Sequence, residues 1–329
     1  MASGGWFQRL YWTVAGLGLA YVLGLAALTH STVQRNATYL HNANPAVWQD
    51  LSDVESFGFL PGQVTPFTVK TVDNETIFAW HILPAHVYKE HRDELVQQVN
   101  NSPLPATLIV SFHGNAGHLA SAFRPGQYQN LLGLSTPSRP VHVIAFDYRG
   151  FGLSTGSPSE EGVTLDAIAL LSQITGHTLP TSIVDLTNPV LQSSLGTFVS
   201  TSFYHAWTLQ LRRPPFKGLV LLASFSSLTK LLDSYSIKGL TPPLLSPLAV
   251  YPPALAWLHR QIVDKWDTAT RLSELVTAKD LPLDLTIMHA TDDVEIPWPE
   301  GWENWRRCGH NKIAIGEGVK VALLRLLDY

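Results

Sequence analysis

Breaking an acyl bond with a serine needs three things in one place: an exposed hydroxyl on a sharp turn, a base for its proton, and N–H donors for the oxygen that becomes charged. The sequence offers several serines for the first role. Gly152-Leu153-Ser154-Thr155-Gly156 reads literally as G-x-S-x-G. A nucleophile turn passes directly from strand to helix, whereas Ser154 lies several residues beyond the strand-like VHVIAFDY and ahead of a helix start. Its glycines are more simply turn residues. Ser193 and Ser194 stand in QSSLGT, immediately before the helical pattern FVSTSFYHAWTLQL. Ser194 has Gly196 two residues on, while Ser193 has Leu191 and Leu195 at the equivalent positions, so Ser194 is the better candidate. A serine with no catalytic part is the plain alternative. His113-Gly114-Asn115-Ala116-Gly117 follows the apolar ATLIVSF, and its small residues let backbone N–H groups converge on one point. Read alone, the segment is equally a glycine turn. Asp292 and Asp293 follow LDLTIMHAT. Either could hold the tautomer of a histidine, or the two could simply occupy a polar turn.

The elements that must position these residues are legible as short apolar runs. ATLIVSF, VHVIAFDY, GLVLLASF and LDLTIMH each have the continuous character of a strand buried on both faces. Helical stretches lie between them, the clearest over Ser159–Ile174, where Ser157-Pro158-Ser159-Glu160 reads as a capping box with proline at the first helical position. Alternating strands and helices imply a mostly parallel α/β sheet with right-handed crossovers. Before it, PFTVKTVDNETIFAWHILP alternates apolar and polar residues around Asp73-Asn74, predicting a β-hairpin from about Phe67 to Leu83. Lys89 to Glu94 is dominated by charge and predicts a surface helix. Residues 237–258, IKGLTPPLLSPLAVYPPALAWL, carry five prolines among apolar side chains, so neither a regular helix nor a strand is expected there. A lid over an apolar pocket, or an ordinary packed excursion, fits this composition.

The 329 residues are 45% apolar and 15% charged, enough for a full core and too apolar for a disordered chain. A formal charge of -4 with no Lys/Arg-rich run argues against a nucleic-acid partner. Cys308 is the single cysteine, which excludes an internal disulfide, a cysteine-based zinc site and a CxxC redox centre. From Leu10 to Leu28 the chain runs 19 residues without a charge, close to the length that crosses a bilayer. A transmembrane anchor through residues 10–28 is expected, with a cleaved signal peptide as the rival and a buried core helix third. Arg9 precedes the run and His30 and Arg35 follow it, so flanking charge leaves its orientation open. Sequons at Asn36, Asn74 and Asn100 favour a lumenal body, although chance alone would supply one or two.

HGNAG, FDYRGFGLSTGSPSEEG, SSLGT, GLVLLASFSSL, HATDDVEIPW and CGHN occur in this order between about residues 66 and 313. Together they resemble the membrane-anchored α/β-hydrolase-domain serine lipases, which include monoacylglycerol and lysophospholipid hydrolases. The resemblance implies an α/β-hydrolase fold: an anchor and connection over residues 1–40, then a hydrolase domain over 41–329 with a lid-like insertion at about 236–262. It implies Ser194 as nucleophile and Asp293, four residues before Pro297, as the acid, with Asp292 the runner-up. His310 becomes the base, completing the chain order Ser…Asp…His. An oxyanion hole follows the His-Gly pair, formed by the backbone N–H groups of Asn115 and Leu195. The implied substrate is a lipid-like ester, the implied setting the endoplasmic reticulum or another secretory-pathway membrane, and no cofactor or metal is implied.

The sequence departs from the family's pattern in three places. Gln192 stands where the family has the first glycine of the turn, and a long side chain there should strain it. The apolar IVDL is separated from Ser194 by TNPVLQS, with Pro189 where a central strand should lack proline, so a damaged strand is expected before the serine. Only 16 residues separate Asp293 from His310, too few for a crossover and the usual last strand. Trp298, Trp302 and Trp305 crowd this short connection, facing the membrane or covering exposed core. These departures support a competing expectation: a catalytically inactive, hydrolase-like lipid-binding or interaction protein, or a sequence assembled without one segment.

Overall fold

The computed structural model describes residues 4–43, 48–84, 107–175, 189–193, 195–236, 240–279, 281, 283–290, 293, 296 and 317–326. The hairpin forms as expected, with strands β1 (Val64–Lys70) and β2 (Thr76–Ile82) antiparallel. Asn74 takes a left-handed φ of 68° at its turn. The strands that follow are β3 (Thr107–Phe112), β4 (Val141–Phe146), β5 (Pro189–Ser193), β6 (Gly218–Leu222) and β7 (Asp284–Met288). They form one sheet in the order β1-β2-β4-β3-β5-β6-β7. β2 meets β4 antiparallel, and every pairing from β4 through β7 is parallel.

Continuous apolar runs suit this sheet because successive side chains serve opposite cores. Leu108, Val110 and Phe112 of β3 join one cluster with Ile144, Phe146 and Leu221, while Ile109 joins the other with Val143, Val220 and Leu222.

The α-helices among the described residues are ten: α1 (Gly4–Ala27), α2 (Ser31–Tyr39), α3 (Arg124–Leu132), α4 (Glu160–Gln173), α5 (Leu195–His205), α6 (Leu228–Ser234), α7 (Ser246–Ala249), α8 (Pro252–Gln261), α9 (Thr268–Thr277) and α10 (Glu317–Leu326). α1 extends beyond the expected run at its amino end, and its 23 residues from Gly5 to Ala27 are long and apolar enough to cross a membrane. None of that span is buried against the body.

Three expectations change. The strand leading to position 194 is PVLQS rather than IVDL, which lies outside the described residues. Pro189 is tolerated because it is the first residue of β5, where the ladder can begin without its N–H. In the proline-rich 237–258 segment a regular helix, α8, does form. Pro252 and Pro253 occupy its first turn, where backbone N–H groups have no helical partner in any case. The amino end of α4 is capped by Ser159, whose Oγ accepts from the Gly162 N–H at 3.1 Å, and not by the Ser157 box. Glu160 instead reaches α9, where it accepts from Arg271, and the Trp266 N–H at 2.9 Å. The expected helix over Lys89–Glu94 lies outside the described residues. So does the chain from 297 to 316, where the last strand was expected to be missing; among the described residues the sheet ends at β7.

A tight backbone joint in this architecture is the start of α5. A Cβ on Gly196 would lie 2.3 Å from the Phe112 carbonyl oxygen, an impossible contact with backbone of the central strand. Gly196→Ala must therefore push α5 off β3 and is expected to cost about 3 kcal/mol or more. Gly126→Ala, in an exposed position of α3 with nothing near its Cβ, is expected to be neutral or stabilising by up to ~1 kcal/mol. Thermal unfolding of the two variants tests the contrast, and equal melting temperatures would contradict it.

Candidate active site

The parallel strands β3 and β5 are neighbours, with Phe112 and Gln192 paired across them. Their carboxyl ends therefore lie side by side. From β3 the chain enters His113-Gly114-Asn115-Ala116-Gly117. From β5 it passes through a single residue, 194, before α5 begins at Leu195. That is the strand-turn-helix path a nucleophile turn requires. Ser194 itself lies outside the described residues, as do His310, Asp292 and the three tryptophans. Gly196, two residues beyond, lies against Phe112 and the His113 carbonyl, which a Cβ there would meet at 2.3 and 3.1 Å. The two expected oxyanion donors thus sit on adjoining segments: Asn115 is exposed on its loop, and Leu195 is the buried first residue of α5.

Hydrogen bonds orient the loop. The Ala116 N–H donates to the Tyr39 carbonyl at 2.9 Å and the Gly117 N–H to the Ala43 carbonyl at 3.1 Å, so neither is left for a ligand. Arg124 Nη2 gathers the carbonyls of Gly114, Asn115 and Ala116 at 3.1, 3.3 and 3.0 Å, and its Nη1 takes that of His118. Turning three successive carbonyls toward one buried guanidinium turns the intervening N–H groups away from it. Among the described residues the Asn115 N–H has no acceptor.

Beneath the loop lies a buried polar cluster that sequence reasoning missed. Asp147 Oδ1 accepts the Leu119 N–H at 2.6 Å and lies 3.4 Å from His113 Nε2. His113 Nδ1 donates to the Gly114 carbonyl at 2.7 Å, which leaves Nε2 as a lone pair facing the carboxyl. A proton held by Asp147 relieves this opposition. Consistent with that, burial pushes the Asp147 carboxyl up to about 7, against the lowering effects of the Leu119 N–H and Arg124. Burial and Arg124 hold the His113 imidazole well below its ordinary range. The sequence shows Asp147 only as the polar end of the apolar run VHVIAFDY and as part of FDYRG.

Ser154 is placed where its loop position suggested, and its environment is structural. Its buried Oγ donates to the Asp147 carbonyl at 2.7 Å and accepts the Phe78 N–H at 2.9 Å. Gly152, at φ 51°, packs on Asp147 Oδ2, which a Cβ would meet at 2.0 Å. The literal G-x-S-x-G is thus a support for Asp147 and for the hairpin.

Asp293 follows β7 by a short turn and is buried. Its Oδ1 accepts the Ile296 N–H at 2.9 Å, and Oδ2 lies 3.5 Å from His289 Nε2, which itself donates to the Ile296 carbonyl at 2.7 Å. The expected contact between Asp293 and His310 falls outside the described residues. A cavity of about 90 Å³ lies between α2 and the 240–263 segment, lined by Leu28, Leu228, Leu232, Leu245, Leu258 and Ile262 with a few polar groups.

This fold is the α/β-hydrolase fold. An α/β-hydrolase from Vibrio vulnificus aligns with a TM-score of 0.55 and 13% identity, over 79% of this chain and 81% of its own. An esterase from Pyrococcus furiosus aligns at 0.52 and 14%, over 84% and 94%. Among sequences, the lysophosphatidylserine lipase ABHD12 of Xenopus tropicalis is 26% identical over 301 residues, 90% of this chain and 71% of the relative. That of Danio rerio is 25% identical over 305 residues, 92% and 74%. Human ABHD12B is 30% identical over 224 residues, 66% of this chain and 53% of the relative. No family model matches the chain. These relatives support an ABHD-type lipase family and a carboxylic ester hydrolase.

The buried carboxyl gives a pH signature. Because its folded pKa is raised, Asp147 contributes stability that is present below the unfolded value near 4 and is lost as pH rises through about 7. Relative to Asp147→Asn, the wild type is expected to lose on the order of a few kcal/mol between pH 4 and 7 and then level off. Denaturant midpoints of both proteins across this range check it; parallel profiles would show that Asp147 is ionised in the folded state.

Proposed function

We propose that the chain is a membrane-anchored serine hydrolase that cleaves the acyl ester of a lysophospholipid or monoacylglycerol. The observation that carries the reading is the passage from β5 to α5 through the single position of Ser194, beside a loop whose Asn115 N–H has no acceptor among the described residues. Ser194 Oγ attacks the ester carbonyl carbon while His310 takes its proton. The oxygen that gains charge is held by the N–H groups of Asn115 and Leu195, each worth about 3 kcal/mol in comparable sites. The tetrahedral intermediate collapses as His310 returns the proton to the departing alcohol. Water, activated by the same histidine, then releases the fatty acid and regenerates Ser194. Asp293 orients His310 and stabilises its charged form. Relatives described as lysophosphatidylserine lipases support the lysophospholipid class.

The inactive reading keeps one specific support: Gln192 occupies the position two before Ser194, where the resembled family has glycine. Placement in the endoplasmic reticulum with a lumenal body rests on the sequons, of which Asn74 is exposed at the hairpin turn and Asn36 is half-buried within α2.

Hydrolysis of a lysophospholipid by full-length protein in vesicles tests the reading. Ser194→Ala is expected to lower kcat by at least about 10³-fold, whereas Ser154→Ala, which leaves the buried Phe78 N–H unpaired, is expected to lose about 1–3 kcal/mol of stability but keep its turnover per folded molecule. A folded wild type that releases no fatty acid would establish the inactive reading, and a protein whose mobility is insensitive to glycosidase would remove the lumenal placement.

A further inference from the structure

From Leu240 to Leu258 the chain carries no Asp, Glu, Lys, Arg or His over 19 residues. Of these side chains only Leu245 and Leu258 are buried. Leu240, Leu244, Val250, Tyr251 and Trp257 are exposed, Leu240 by 85% and Val250 by 73%, and Val263 continues the surface. An uncharged, proline-rich surface of this extent is not one that water-soluble bodies commonly present.

Its position relative to α1 says what covers it. Tyr21 Oη donates to the Leu244 carbonyl at 3.1 Å. Tyr21 precedes the end of α1 at Ala27 by six residues, which places this contact about 9 Å back along the helix axis. The cap therefore meets α1 inside the apolar span, not beyond its end. A second joint fixes the geometry: Gln34 Nε2 donates to the carbonyls of Leu28 and Gln261, each at 2.8 Å, and Gln34 Oε1 accepts the Val263 N–H at 2.9 Å. One side chain thus ties the end of the anchor to the end of α8.

We propose that residues 240–263 are a second membrane-contact element, docked beside the anchor and immersed in one leaflet of the bilayer. The proposal rests on reading α1 as a span. Lipid is the occupant because the surface is continuous with α1, carries no charge from Leu240 to Leu258 that would pair with a protein partner, and meets α1 at the 5–10 Å depth typical of interfacial elements. It cannot be a crossing segment itself, since α8 has ten residues, about half the length a bilayer demands. Arg260, exposed at the end of α8, is placed to reach headgroups. The cavity of about 90 Å³ lies on the inward side of the same element, lined by its Leu245, Leu258 and Ile262.

The test uses full-length protein carrying Cys308→Ser, an environment-sensitive fluorophore on one introduced cysteine, and phosphatidylcholine vesicles with or without bromine on the acyl chains. Val14→Cys reports the anchor, Val250→Cys and Trp257→Cys report the cap, and Val72→Cys, 89% exposed beyond β1, reports solvent. Bromine is expected to remove about half the emission at position 14 and at the cap sites, with position 72 unchanged. Quenching at either cap site supports the proposal. Quenching at 14 with both cap sites matching 72 overturns it while leaving the anchor intact, and no quenching at 14 overturns anchor and proposal together.

Discussion

The carboxyl edge of the sheet depends on one close approach, that of Gly196 to the Phe112 carbonyl. Only a residue without a side chain lets α5 begin flush against β3. Because β3 and β5 are paired in parallel register, this contact brings the start of α5 beside the loop that starts at His113. Everything proposed about the chemistry follows from it. The loop's own conformation is then held from below by Arg124, whose guanidinium collects its carbonyls, and by Asp147, which accepts the Leu119 N–H. Burying a cation and a carboxyl beneath this loop is costly; Arg124 and Asp147 Oδ1 spend their hydrogen bonds on fixing backbone rather than on each other, and Asp147 Oδ2 has no hydrogen-bond partner among the described residues.

Much of this was legible in the sequence, for reasons that differ by element. The hairpin and the strands at Thr107, Val141, Gly218 and Asp284 follow from alternation and from uninterrupted apolar runs, which leave few other solutions. The strand before Ser194 was misplaced because IVDL has the stronger strand composition, while PVLQS begins with a proline whose cost vanishes at a strand's first residue. The same oversight hid α8, where Pro252 and Pro253 fill a helix's first turn rather than interrupt its interior. Ser154 could be set aside from its loop position, yet what its glycines do was not readable. Gly152 is needed because Asp147 lies beneath it, a contact between residues whose local pattern says only turn. The Arg124–Asp147–His113 cluster was invisible for the same reason: its members are distributed over three segments and meet only when the sheet is assembled.

A comparable linkage runs from the end of α1. Gln34 satisfies three backbone groups at the point where the anchor ends and the cap returns, so the apolar faces of both are presented together. Tyr39, two turns along α2, continues the connection by donating to Asp264 at 2.8 Å, and Asp264 in turn accepts the Glu160 N–H at the start of α4. The residues that orient the body on α1 are thus linked through α2 to the loop after β3, where the Ala116 N–H donates to the Tyr39 carbonyl. Under the proposed function such a linkage would join the candidate membrane helix to the site that receives a lipid substrate.

The central claim is that position 194 is a nucleophile turn, and it is tested most directly by the site of covalent modification. Full-length wild-type protein in vesicles, treated with a fluorophosphonate and digested, is expected to carry the phosphonyl adduct on the Ser194 hydroxyl. An adduct on Ser154 or Ser193 instead, or none on a protein shown to be folded, would contradict the account.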